Sequence, residues 1–214
     1  MAAQLWGSRD AYALIFTLHA GEYLVGEYLE KTFKDFRVWV ASKDTGVDLL
    51  VTDKDHRKAV SLQVKSSKDF MNLGFKASGW WTLKSEKIAA SEADLWVFAL
   101  YNFDQRAFHN IVILPQRLGE RLLTVHGREK VFQTYFCVSN SNRCWATRGL
   151  SKEELLSAQG TYENPARDFT EYLDNWGPLV ERLRQEREAP PAEASNQLLQ
   201  QTAHAKGGFT DYPV

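Results

Sequence analysis

Residues 46–67 decide the fold: Gly46-Val47-Asp48-Leu49-Leu50-Val51, a polar connection Thr52-Asp53-Lys54-Asp55-His56-Arg57-Lys58, then Ala59-Val60-Ser61-Leu62-Gln63-Val64-Lys65-Ser66-Ser67. Both ends are rich in Val and Leu and the middle is solvated, which predicts two β-strands folded as an antiparallel hairpin. Folding brings Asp48, early on the first strand, to Gln63 and Lys65, late on the second. Side chains alternate between faces along a strand, so Gln63 and Lys65 share one face and Val64 takes the other. A carboxylate, an amide oxygen and an ammonium then converge on one small volume. That is the equipment for holding a hard cation together with an anionic, phosphate-like substrate.

Upstream, residues 10–34 have the pattern of one long amphipathic helix, with Ser8 or Asp10 as N-cap. Ile15, Leu18, Val25, Leu29 and Phe33 recur at three- and four-residue steps as one stripe. Glu22 falls within roughly 20° of Ile15 and Leu29 on that stripe. A carboxylate there either sits at the stripe's edge in a salt bridge or points at a metal. Gly26, one turn on, leaves space beside it, and Glu27 faces solvent. Phe36-Arg37-Val38-Trp39-Val40 alternates as a strand that turns through Ser42–Gly46 into the Asp48 strand.

Downstream of Lys65 come Ser66-Ser67-Lys68-Asp69 and then an irregular segment with Gly74, Gly79, Trp80 and Trp81. Ser66, Ser67, Lys68 and Lys76 are placed there either to touch phosphates as the chain leaves the site or simply as solvated loop residues. Trp80 and Trp81 belong to a core or lid, with stacking on a base as the alternative. Ser85–Glu92 is a short helix capped by Ser85. Asp94-Leu95-Trp96-Val97-Phe98-Ala99-Leu100-Tyr101 is almost wholly apolar and so reads as a strand buried on both faces. Phe108–Leu114 is another strand, Gln116–Val125 a helix with Arg117 and Arg121 on one face, and Lys130–Val138 a further strand. Pro165–Glu188 is expected as one amphipathic helix that packs on the domain or on a second copy of the chain, so a homodimer is among the expected partners. Residues 1–188 form a single domain, and the Ala/Pro/Gln/Gly-rich residues 189–214 are expected to be a flexible tail.

The pattern Asp48…Gln63-x-Lys65, with a helix before it, resembles the PD-(D/E)XK or restriction-endonuclease-like nuclease superfamily. Two positions depart from the usual motif: Val47 stands for the Pro, and Gln63 for the acidic residue before the lysine, the latter similar to Mrr-type restriction enzymes. The resemblance implies an α/β fold with a restriction-endonuclease-like αβββαβ core on a mixed central sheet, covering residues 10–115, with helical decoration C-terminal to it. It also implies a metal-dependent endonuclease that hydrolyses phosphodiester bonds, in DNA, for restriction, defence or repair. Asp48, Gln63, Lys65 and Glu22 would be the catalytic residues. Mg2+ or Mn2+ would be held by Asp48, Gln63, the Val64 carbonyl and Glu22, while Lys65 orients water and stabilises charge. Ser66, Ser67, Lys68 and Lys76 would bind the nucleic acid.

Lys and Arg number 26 against 27 Asp and Glu, a net charge of −1, so no global field draws nucleic acid and any contact must come from local clustering. That balance, with Gln63, supports the alternative of a non-catalytic nucleic-acid-binding or interaction module on the same fold. An interaction protein whose hairpin matches by chance is a third reading. Cys137 and Cys144 have no metal or redox spacing and are expected as reduced thiols. The five histidines are scattered and are read as structural or solvated. The start of the chain has no secretory character and no apolar run is long enough for a membrane, so a cytoplasmic protein is expected.

Overall fold

Helix α1 (Arg9–Thr32) leads, through a turn at Phe33–Asp35, into strands β1 (Phe36–Val40), β2 (Leu49–Asp53) and β3 (Ala59–Lys68). The computed structural model describes residues 9–41, 46–68, 74–103 and 106–184, with side chains from Ala20 onward apart from those of Lys68 and Ala107. Segment 189–214, the expected tail, lies outside the described residues, as do Ser8 and the side chains of Ile15 and Leu18. Asp10 is inside the helix rather than capping it. The expected hairpin is present, in the register Leu49↔Leu62 and Val51↔Val60. β2 begins at Leu49, so Asp48 stands just ahead of its strand.

The stretch read as irregular is in fact strand β4 (Ala77–Lys84), whose residues alternate buried and exposed from Gly79 to Lys84. Two tryptophans in succession hid a period of two: Trp81 is core and Trp80 is half exposed. A short helix α2 (Ser85–Ala89) follows; Lys84 holds the N-cap position, and the Ser85 hydroxyl instead donates to the Lys130 carbonyl. Then come β5 (Leu95–Asn102), β6 (Ala107–Ile113), α3 (Pro115–His126), β7 (Val131–Val138), β8 (Cys144–Ala146) and α4 (Lys152–Ser157). Pro115 starts α3 without a lost backbone bond, and Gly127, at φ 75°, ends it.

The long helix expected over Pro165–Glu188 is broken into a 3-10 turn (Thr170–Tyr172) and α5 (Gly177–Arg184). Between them Asp174 takes φ 50°, and Leu173 makes a β-bridge with Ile111. The Asp174 carboxylate accepts from the Asn110 backbone N–H and from His109 Nδ1, so the segment is tied to β6 as a strap. Its apolar residues are buried all the same. Periodicity found the buried residues and mistook the backbone between them.

The molecule is mixed α/β. Its five-stranded sheet runs β1-β2-β3-β5-β6, with β3 and β5 parallel and the other pairs antiparallel; β4, β7 and β8 form a second, antiparallel sheet. β5 separates two cores by alternation. Leu95, Val97 and Ala99 join Val25, Leu29, Leu62, Val64, Leu179 and Leu183 under α1 and α5. Trp96, Phe98 and Leu100 join Trp81, Phe132, Phe136 and Leu118 between the sheets. Cys137 and Cys144 are buried free thiols. No described helix is long and apolar enough to cross a membrane.

Candidate functional site

Asp48 is held by its backbone between two strands: its N–H donates to the Leu62 carbonyl (2.8 Å) and its carbonyl accepts from Ala41 N–H (3.0 Å). Gly46, at φ 89°, lets the chain turn into that position. The carboxylate Oδ2 accepts the Val64 backbone N–H at 2.6 Å and Gln63 Nε2 at 2.5 Å. Oδ1 has no hydrogen-bond partner among the described residues. In an antiparallel pair the N–H and C=O of one residue point to the same neighbour. The Val64 carbonyl therefore points to the Asp48 side, where the β2–β3 ladder has stopped.

Gln63 is buried and faces the inter-sheet side, opposite Trp96 in register. It presents its amide nitrogen to Asp48, and its oxygen lies towards Gly46, whose added Cβ would be 3.8 Å from it. The amide oxygen expected as a ligand is thus the far atom, and a half-turn of the amide exchanges the two. Lys65 shares this face and is half-buried, with Nζ 5.8 Å from the Trp96 ring centroid, inside cation–π range. Trp96 is fixed by its indole N–H on Ser91 Oγ at 2.8 Å. Lys65 makes no salt bridge with a described residue.

Glu22 is half-buried and engaged in an interaction of its own. It sits at the shoulder of the stripe, for Gly21, Val25 and Leu29 take the buried positions. Gly26 faces a Val38 methyl, which an added Cβ would meet at 3.4 Å, an ordinary contact distance. Gly21 is the residue that permits close approach: a Cβ there would stand 2.2 Å from Ser66 Cβ. α1 therefore touches β3 on its Leu62–Val64–Ser66 face, opposite to Gln63 and Lys65. Glu22 would have to reach Asp48 around the edge that β2 leaves open. Glu27 is exposed and pairs with Lys31 at 2.6 Å, as a surface residue does.

The expected nucleic-acid contacts do not form one patch. Ser66 packs on α1, and Ser67 Oγ accepts the Trp80 backbone N–H at 3.3 Å. Lys76 donates to Asn142 Oδ1 at 2.6 Å, and the Lys68 side chain lies outside the described residues. Arg117 pairs with Glu120, and Arg121 is spent on the carbonyls of Pro165 and Asp168, so neither arginine of α3 is a free cation. The sequence reading missed Trp96 under Lys65, though the register of β5 against β3 would have found it. It also passed over Gly21 as a contact point and Thr52, which joins Trp39 and His56.

Among the described residues no three His, Cys, Asp or Glu side chains group as a metal site. The expected set holds only two carboxylates, Asp48 and Glu22; the rest is an amide and a backbone carbonyl. All its donors are oxygens, and Asp48 Oδ1 has no partner among the described residues, which fits a hard cation that keeps several waters. No protein-family model, no curated protein and no solved structure matches the chain.

Proposed function

We propose that the chain is a magnesium-dependent nuclease that hydrolyses phosphodiester bonds in DNA, on a restriction-endonuclease-like core. The observation that carries the proposal is the juncture of Asp48, Gln63 and Val64 where β2 leaves β3, with Lys65 on the face of Gln63 and in no salt bridge with a described residue. The element order supports it too: α1, β1–β3, then α2 and a parallel β5 follow the helix, three strands, helix, strand expected, with β4 inserted. Asp48 Oδ1, the Gln63 oxygen, the Val64 carbonyl and Glu22 would hold the cation, which when bound polarises a phosphate oxygen and acidifies a water. Both groups on Asp48 Oδ2 are neutral donors, so neither of them is a counter-cation to the carboxylate. Lys65 supplies a positive charge and rotatable N–H donors to orient the attacking water and to stabilise charge that develops on the phosphate.

The test is cleavage of plasmid DNA and of single-stranded circular DNA by purified protein with magnesium or manganese, and with EDTA as control. Asp48→Ala should lose metal binding and cleavage together, and Lys65→Ala should bind metal yet fail to turn over. A second reading, a nucleic-acid-binding module without catalysis, is favoured by one contact: Gln63 Nε2 satisfies Asp48 with no metal needed. Wild-type protein that binds DNA but cuts it under no divalent metal would select that reading.

A further inference from the structure

The face of β1, β2 and β3 that carries Gln63 and Lys65 continues away from the site as an open surface. Alternation and register put Arg37 and Trp39 of β1, Leu50 of β2 and Ser61 of β3 on it, with Trp39 opposite Leu50 and Leu50 opposite Ser61. Trp39 is 52% exposed and Leu50 38%, an unusual place for a tryptophan unless something covers it. Trp39 is also fixed. Its indole N–H donates to Thr52 Oγ1 at 3.3 Å, the same hydroxyl bonds His56 Nδ1 at 3.1 Å, and the His56 ring meets the indole at 5.5 Å and 70°. Thr52 is buried beneath them. A large aromatic that is immobilised and half open pays little entropy on stacking.

We infer that this face seats single-stranded nucleic acid, with one unstacked base on Trp39; the inference rests on the nuclease reading of Asp48 and Lys65. Continuity with that site and charge select the occupant. Ala41, two residues after Trp39, is hydrogen-bonded to Asp48, so the Trp39 and Asp48 backbones are about 8 Å apart by strand geometry. A strand whose phosphate lies at Asp48 can lay a neighbouring base on Trp39. Lys65 and Arg37 stand on the face with Asp48, Arg37 also donating to the Lys34 and Phe36 carbonyls, and Asp94, which accepts from the Ser61 hydroxyl, is matched by Arg182. At the hairpin end Lys54 and Arg57 are exposed beside one exposed carboxylate, Asp55, while Asp53 is spent on the Arg57 and Lys58 backbone N–H groups. The bases of a duplex are stacked on one another and offer no face to an indole, so a single strand is the substrate this surface fits.

The test is fluorescence anisotropy of a labelled single-stranded oligonucleotide and of the matching duplex, at low salt in EDTA, with the full chain. Wild type should prefer the single strand. Trp39→Ala should weaken that binding about tenfold, in the range of one lost base stack, and Trp39→Leu, which keeps Thr52 covered, should do the same if the alanine variant folds poorly. Trp80→Ala, at an equally exposed tryptophan of the second sheet, should change nothing. Unchanged affinity in both Trp39 variants, preference for the duplex, or no binding of single strands would overturn the inference. So would a dimer that Trp39→Ala splits without affecting oligonucleotide affinity, since the face would then belong to a second copy. Because no cleavage is needed, a protein that cuts nothing yet binds through Trp39 would refute the nuclease reading alone.

Discussion

Two carboxylates, Asp48 and Asp168, show how the same group is spent as site and as scaffold. Asp168 accepts Arg143 at 2.8 Å and the Thr170 backbone N–H at 2.9 Å, and Arg143 in turn lies over the Trp145 ring at 4.4 Å. Both of its oxygens are engaged, one by a cation, and the local charge is neutralised. Asp48 has two short bonds, yet both donors are neutral and both fall on one oxygen. Among the described residues no cation is matched to it and its other oxygen has no partner, while Lys65, on the face of Gln63, makes no salt bridge. A carboxylate matched by a guanidinium has its ligand already; one held in place by amides is oriented for something else.

The widest separation of the two should come from isosteric amides. Asp48→Asn can still accept from Val64 and Gln63, so its Tm should stay within about 2 °C of wild type, while plasmid cleavage should fall at least about a hundredfold. Asp168→Asn should cleave normally and melt about 3–6 °C lower, from the loss of about 1–2 kcal/mol of charge-assisted bonding. Cleavage lost equally in both would end the distinction drawn here.

The hairpin and the meeting of Asp48 with Gln63 were legible in sequence, because alternation of Leu and Val fixes which residues oppose each other and Asp48 against Gln63 follows by counting. β5 was legible from its unbroken apolar run. What escaped depends on contacts distant in sequence. Which amide atom of Gln63 meets Asp48 is set by the carboxylate, which can only accept and so takes Nε2. Gly21 matters only because β3 passes within a Cβ of it, and helical periodicity placed the gap beside Glu22 at Gly26 instead. The strap at Asp174 defeats a helix pattern through one left-handed residue and a carboxylate that caps β6 N–H groups.

That close approach gives the next largest effect. Gly21→Ala should cost about 2–3 kcal/mol, because Ser66 Cβ must move away and α1 with it. Ser66→Gly should recover most of the loss in the double variant, as read by urea unfolding. If Glu22 serves the Asp48 site, cleavage by folded Gly21→Ala should fall as well; full activity would confine Glu22 to the scaffold, with Asp168. Gln63→Glu, smaller again, replaces the donor on Asp48 by a second carboxylate, so without metal it should lose about 1–2 kcal/mol. Magnesium should then raise its Tm more than that of wild type, and identical Tm values in magnesium and EDTA for both proteins would argue that no cation enters between these residues.

The smallest effect is the pH dependence of the scaffold carboxylate, and its sign is fixed by the bonds. Burial alone would raise the Asp168 pKa, but the Thr170 and Arg143 hydrogen bonds and the Arg143 charge outweigh it, and the folded value lies below the ordinary carboxylate value. A folded pKa below the unfolded one means the ionised form favours the native state. Its stabilisation is whole above the unfolded pKa, about 3.9, and disappears as pH falls through the folded value. Asp168 is partly exposed, so the contribution is on the order of 1 kcal/mol. The stability gap between wild type and Asp168→Asn should therefore be constant from pH 7 to about 5 and close below about 4. Chemical unfolding of the two proteins at pH 7, 5, 4 and 3 reads it directly. A gap that widens in acid would mean that Asp168 is held protonated in the fold, and its partnership with Arg143 would then not be the ionic contrast to Asp48 drawn from their bonds.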